Sequence, residues 1–159
     1  MTEATREAVR RMLEAHRTAT LATAGKDGPW AATVFFASDA DLNLYFVSDP
    51  RTRHGRHLAA RREVAATIHP DCATWGEVRG LQLAARVDIL EGLDRAGALR
   101  CYLAKFQDVR ALFDRPRSAD EESIAKRIKA ANLYRMTPHW IRLIDNSRGF
   151  GYKEELVLP

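Results

Sequence analysis

Between Thr18 and Ser48, three segments rich in β-branched and aromatic residues follow one another with almost no chain between them. TATLATA (Thr18 to Ala24) runs into the turn GKDG, WAATVFFAS (Trp30 to Ser38) into Asp39-Ala40-Asp41, and LNLYFVS (Leu42 to Ser48) into Asp49-Pro50. Links this short join neighbouring antiparallel strands, because a parallel crossover needs a dozen or more residues. The chain is therefore built around consecutive hairpins, and other segments must pack against the sheet they form.

On either side the period turns helical. Thr2 to His16 reads as an amphipathic helix, with Thr2 as its cap, Glu3 in the first turn, and Ala8, Val9, Met12 and Leu13 near one face. A short helix passes through Arg53, Leu58 and Ala60, capped by Thr52 or Asp49. Glu63 to His69 is a strand, and GLQLAARVDIL makes a long extended stretch within Trp75 to Leu90. Asp94 to Lys105 is helical again, and Ser118 with Glu121 forms a capping box that opens a helix over Asp120 to Ala131. Arg115 to Asp120 reads as a mobile loop, and Leu133 to Ile144 with Gly149 to Leu158 form a closing hairpin. No repeat or linker divides the chain, so residues 1–159 are expected to form one domain. The pattern is α+β: a small antiparallel barrel with attached helices.

The 159 residues, 46% apolar, suffice for a core without disulfides or a structural metal. No apolar run approaches the ~20 residues of a membrane span, and the opening MTEATREAVRRMLEAH mixes charges where an export signal is apolar. A cytoplasmic protein without a membrane partner is expected. Cys72 and Cys101 lack paired spacing, and His57 and His69 lack metal-ligand spacing, so no metal is expected. The net charge of +4 is partly concentrated in PRTRHGRHLAARR, Pro50 to Arg62, while acidic residues are spread through the chain.

The segment YFVSDPRTRHGRHL, Tyr45 to Leu58, carries the most chemistry. A strand ends at a hydroxyl, Ser48, and a helix begins beside Thr52, Arg53 and His54. Free amides at a helix start, its positive dipole end and a guanidinium together suit a phosphate dianion. The same residues would equally serve a solvated basic helix, so their surroundings must decide. Trp30, Trp75 and Trp140 fit either packing or a pocket rim. Asn146, Arg148 and Tyr152 in the last hairpin fit either a ligand or the turn.

The order of these segments resembles the pyridoxamine 5'-phosphate oxidase-like, FMN-binding split-barrel superfamily. The closing IRLIDNSRGFGYKEEL (Ile141 to Leu156) is similar to a small bacterial branch of unassigned function within it. The resemblance runs from Thr18 to Leu156. It implies a six-stranded antiparallel split barrel, Greek-key-like, with flanking helices, and a homodimer whose FMN sites draw on both chains. By the same resemblance Ala32, Thr33 and Val34 run along the isoalloxazine ring, and Phe46, Val47 and Ser48 continue that wall, although Phe46 also suits the core. Thr52, Arg53 and His54 match the phosphate-binding stretch, and Gln82 matches a glutamine near the flavin edge across the dimer interface. Family members often carry Lys where His54 stands. A histidine near pKa ~6.5 is only partly charged at neutral pH, which weakens the phosphate grip or makes it pH-dependent.

The expected function is that of an FMN-binding oxidoreductase acting on a small molecule, with NAD(P)H as a candidate donor. No residue stands out as a general acid or base. Pyridoxamine-phosphate oxidation itself is disfavoured, because the chain ends in GFGYKEELVLP where the oxidases carry an Arg/His-bearing segment. A deazaflavin, heme breakdown and flavin binding without turnover are the alternatives within the superfamily. Outside it stands a nucleic-acid-binding β-barrel using Arg51 to Arg62.

Overall fold

A computed structural model describes residues 3–159; the Thr2 cap lies outside the described residues. The elements in chain order are α1 (Glu3–Ala15), β1 (Thr18–Gly25), β2 (Gly28–Phe35), β3 (Ala37–Ser38), β4 (Leu44–Ser48), α2 (Arg53–Ala60) and β5 (Glu63–Ile68). There follow a 3-10 turn (Trp75–Glu77), β6 (Arg79–Ile89), α3 (Gly92–Lys105), α4 (Gln107–Asp114), α5 (Ala119–Ala130), β7 (Asn132–Asp145), a second 3-10 turn (Asn146–Arg148) and β8 (Lys153–Val157).

The strands pair antiparallel in the order β2-β1-β5-β6-β7-β4-β3, and β8 adds to β7 beside β4. The sheet thus has eight strands, which corrects the expectation of six. Two short additions matter most. The segment read as one strand from Trp30 to Ser38 breaks at Phe36, whose N–H donates to the Arg17 carbonyl at 2.9 Å, so Ala37 and Ser38 pair with β4 instead. At the other end of the chain, β8 pairs with the second half of β7, whose first half pairs with β4.

This break dictates the shape. β2 and β3 stand at opposite ends of the sheet, yet only Phe36 separates them in sequence. A sheet whose ends are one residue apart must curl round on itself. The curl leaves a seam. β2 pairs only with β1, and β4 has a ladder partner on its β3 side only at Leu44 and Tyr45.

Inward side chains fill the curl: Leu21, Phe36, Leu44, Phe46, Ile68, Tyr134 and Ile141 are all buried, and Phe46 stacks on Tyr134 with ring centroids 4.9 Å apart. Val9 and Leu13 seat α1 on this core. α3 lies against the outside of β3, β4 and β7 through Tyr102 and Ala98. α4 occupies a stretch to which no element was assigned; Val109, Leu112 and Phe113 give it helical spacing. Ser118 Oγ caps α5 as expected, accepting the Glu121 amide at 3.2 Å, while the Glu121 carboxylate accepts the Arg117 amide at 2.6 Å. No helix among the described residues is long and apolar enough to cross a membrane.

Candidate functional site

The β4 strand ends at Ser48 because Asp49-Pro50 breaks the extended run, and the chain turns at once into α2. Thr52 caps the helix in extended conformation, its Oγ1 accepting the Gly55 amide at 3.1 Å and donating to the Asp49 carbonyl at 2.8 Å. The Arg53 and His54 amides are the first of the helix and have no acceptor within it. Gly55 is required here by contact: a Cβ would lie 2.7 Å from the Pro50 carbonyl oxygen and 2.8 Å from that of Asp49.

His54 Nε2 lies 2.6 Å from Ser48 Oγ. Burial, and next to it His57, push the His54 pKa below its ordinary 6.5, disfavouring the charged ring. Arg53 points away from Ser48, towards the β1–β2 turn. Its Nη2 donates to the Asp27 carbonyl at 2.6 Å, its Nε stands 2.9 Å from Asp27 Oδ2, and its guanidinium lies 4.5 Å from the centre of the Trp30 ring. Nε is buried and finds no acceptor in line for a hydrogen bond. Behind it His57, only 4% exposed, spans from Thr23 Oγ1 at Nδ1 (2.9 Å) to Asp27 Oδ1 at Nε2 (2.6 Å). The His57 hydrogen bond, assisted by Arg53, holds the Asp27 carboxyl below the usual range.

The structure brings Ser48, Thr52, Arg53 and His54 to one corner. Ala32, Thr33 and Val34 lie on β2, where Val34 points into the core and Thr33 outwards, so what they share with the seam is backbone. The Phe46 side chain is core. Val47 sits under α3 beside Leu133, and with Ser48 it lines a cavity of about 650 Å³ whose far wall is Arg127 and Ile128 of α5. Gln82 does not join the corner: it faces outwards in the cross-strand row Thr33, Thr20, Thr67, Gln82, Arg142, about 14 Å from Thr33 at ordinary strand spacing.

Sequence reasoning missed Asp27 and His57. Asp27 reads as a turn residue, and His57 has no metal-ligand company. The usable signal was helical spacing: Arg53 and His57 stand four apart, so a group that meets one on α2 meets the other. Trp30 enters the site only as the surface on which Arg53 rests. Trp75 instead packs edge-on against Phe150 at 5.8 Å, both rings largely exposed. Among the described residues, no group of three His, Cys, Asp or Glu side chains is placed to hold a metal.

Residues 5–145 match the family described as pyridoxamine 5'-phosphate oxidase. The chain belongs to this family. Among curated relatives, the UPF0306 protein of Klebsiella pneumoniae strain 342 is 28% identical over 147 residues, covering 92% of this chain and 88% of that protein. Among solved structures, the heme binding protein from Mycobacterium smegmatis superposes with a TM-score of 0.73 at 19% identity, over 99% of this chain and 59% of its own. The chain thus spans about three-fifths of that protein. A Clostridium acetobutylicum protein related to general stress protein 26 of B. subtilis superposes with a TM-score of 0.67 at 15% identity, over 99% of this chain and 97% of its own. These structural likenesses establish the fold.

Proposed function

We propose that the chain is an FMN-binding oxidoreductase, with the flavin in the seam between β2 and β4 and its phosphate at the start of α2. The observation that carries this reading is the coincidence of two unpaired strand edges with a capped helix start. On the unpaired sides of β2 and β4, alternate residues within Ala32, Thr33 and Val34 and within Phe46 to Ser48 turn their backbone N–H and C=O away from the ladder, which suits the pyrimidine edge of a flavin. The Arg53 and His54 amides, the Ser48 hydroxyl and the Arg53 guanidinium suit its phosphate, while the Thr52 hydroxyl, donating to the Asp49 carbonyl, holds the turn that presents them. Family membership supports the same reading.

Bound flavin would supply the hydride or electron chemistry, with a small-molecule substrate and NAD(P)H as candidate donor. The chain's own residues bind and orient: the α2 corner fixes the phosphate end, and the β2 edge fixes the ring. A homodimer completes the site. The outer face of the sheet carries Ala31, Ala22, Ala65 and Ala84 in one cross-strand row ending in Trp140 and Val157, beside the row that holds Gln82. An outer face of small side chains lets a second copy approach closely about a two-fold axis, which would carry each Gln82 towards the other chain's seam.

The nucleic-acid alternative is weakened by how the basic stretch is used. Arg51 pairs with Asp49, Arg53 with Asp27 and Arg62 with Asp88, and Arg56 donates to the Arg51 carbonyl. The likeness to a heme binding protein keeps heme as the competing ligand. Absorbance and mass spectra of the ligand carried by, or titrated into, the purified protein decide. FMN gives a band near about 450 nm that bleaches on reduction; an intense Soret band assigns heme instead, and no uptake of either overturns the proposal. Steady-state NAD(P)H oxidation separates an enzyme from a flavin carrier.

A further inference from the structure

The guanidinium that the flavin reading assigns to the phosphate is not a free charge. Among the basic groups around the start of α2, Arg51 is paired with Asp49, Arg56 donates to the Arg51 carbonyl, and burial and His57 disfavour the charged form of His54. Arg53 too has a carboxylate against it: Asp27 Oδ2 is 2.9 Å from Nε. Asp27 is itself held in place. Its other oxygen is 2.6 Å from Nε2 of the buried His57, which Thr23 holds from behind. The turn is packed closely on that ring, since a Cβ on Gly25 would come within 2.5 Å of His57 Cδ2. Arg53 is equally fixed, with Trp30 under its plane and the Asp27 carbonyl accepting from Nη2.

Resting on the flavin reading above, we propose that Asp27 is a resident counter-anion of the anchor, holding Arg53 in a neutral pair so that a phosphorylated cofactor is taken up and released as an exchangeable ligand. At a few ångströms the carboxylate cancels most of the attraction that a phosphate dianion receives from the guanidinium. The grip then falls to backbone amides and the Ser48 hydroxyl, which are weaker partners than an unshared cation. An uncharged ligand is indifferent to the carboxylate, so Asp27 also narrows the preference for a phosphorylated flavin over its dephosphorylated form.

Titration of FMN and of riboflavin into the full chain, followed by flavin fluorescence, tests this. Asp27→Asn keeps an acceptor for His57 and should bind FMN roughly fivefold more tightly than wild type or better, with riboflavin unchanged. Asp27→Glu keeps the charge and should bind FMN like wild type. Asp27→Ser must reproduce the gain if the Asn variant folds poorly. Equal FMN affinity in wild type and the uncharged variants, or a parallel gain for riboflavin, overturns the counter-anion and leaves the flavin reading standing. Absence of flavin binding in wild type and variants alike overturns both.

Discussion

The corner at the start of α2 and the outer face of the sheet carry the two parts of the proposed site, and they are built in opposite ways. At the corner, Thr23, Asp27, Trp30, Ser48, Arg53, His54 and His57 come from two hairpin strands and the turn between them, a strand end and a helix, and each is fixed by a contact within the chain. On the outer face, Thr33, Thr67 and Gln82 stand exposed in register with little beyond one another to touch; the hydrogen-bond partner of Gln82 is Arg142, at the long distance of 3.5 Å. One half is organised before any ligand arrives. The other half is held by register alone, and the homodimer proposed above is what would cover it.

Four measurements sharpen or break that contrast. Phe46→Ala removes a fully buried ring stacked on Tyr134, and should cost about 3–5 kcal/mol of folding stability in denaturant unfolding. A small loss would mean that the β4 side of the corner is not anchored in the core. Arg53→Ala leaves Asp27 facing the anchor with His57 but without its guanidinium partner, and removes a charged hydrogen bond worth ~1.5–3 kcal/mol. FMN affinity should fall at least several-fold while the far-UV circular dichroism stays unchanged, and an unaltered titration curve takes Arg53 out of the anchor.

For the outer face, Ala65→Glu puts a charge beside the three other alanines of its row and should convert the proposed dimer to monomer in gel filtration with light scattering, leaving the fold intact. A mass unchanged from wild type would assign the dimer to another surface. The smallest effect concerns Lys105, a half-buried residue whose Nζ donates to the Leu13 and His16 carbonyls at 2.9 and 2.5 Å and lies over Phe36. Burial lowers its pKa from 10.5 to about 8. Between those values the unfolded chain binds the proton and the folded chain does not, so this lysine's contribution to stability rises with pH across that window. The melting-temperature difference between wild type and Lys105→Met should therefore move in favour of wild type from pH 8 upwards, and a constant difference would show that the amine keeps its proton in the fold.

What could be read from the sequence was local. The hairpins at Thr18 to Ser48 announce themselves by period and turn residues, and Thr52 and Ser118 are caps whose chemistry lies within three residues of the amides they accept. The meeting of Asp27 with His57 spans thirty residues, and nothing in a turn aspartate shows which helix will fold against it. Gln82 falls between these cases. Alternation along its strand gives its outward direction, but an outward direction does not say what the side chain will face. The break at Phe36 was hidden because Trp30 to Ser38 is uniformly β-prone, and only the closure of the sheet forces the strand to change partners there.

That closure also couples the two banks. Phe36 is the one-residue covalent link between the strands on the two banks of the seam, and it is itself pinned, its N–H held by the Arg17 carbonyl and its ring fully buried. With so little chain to absorb a displacement, a shift of either bank is passed directly to the other.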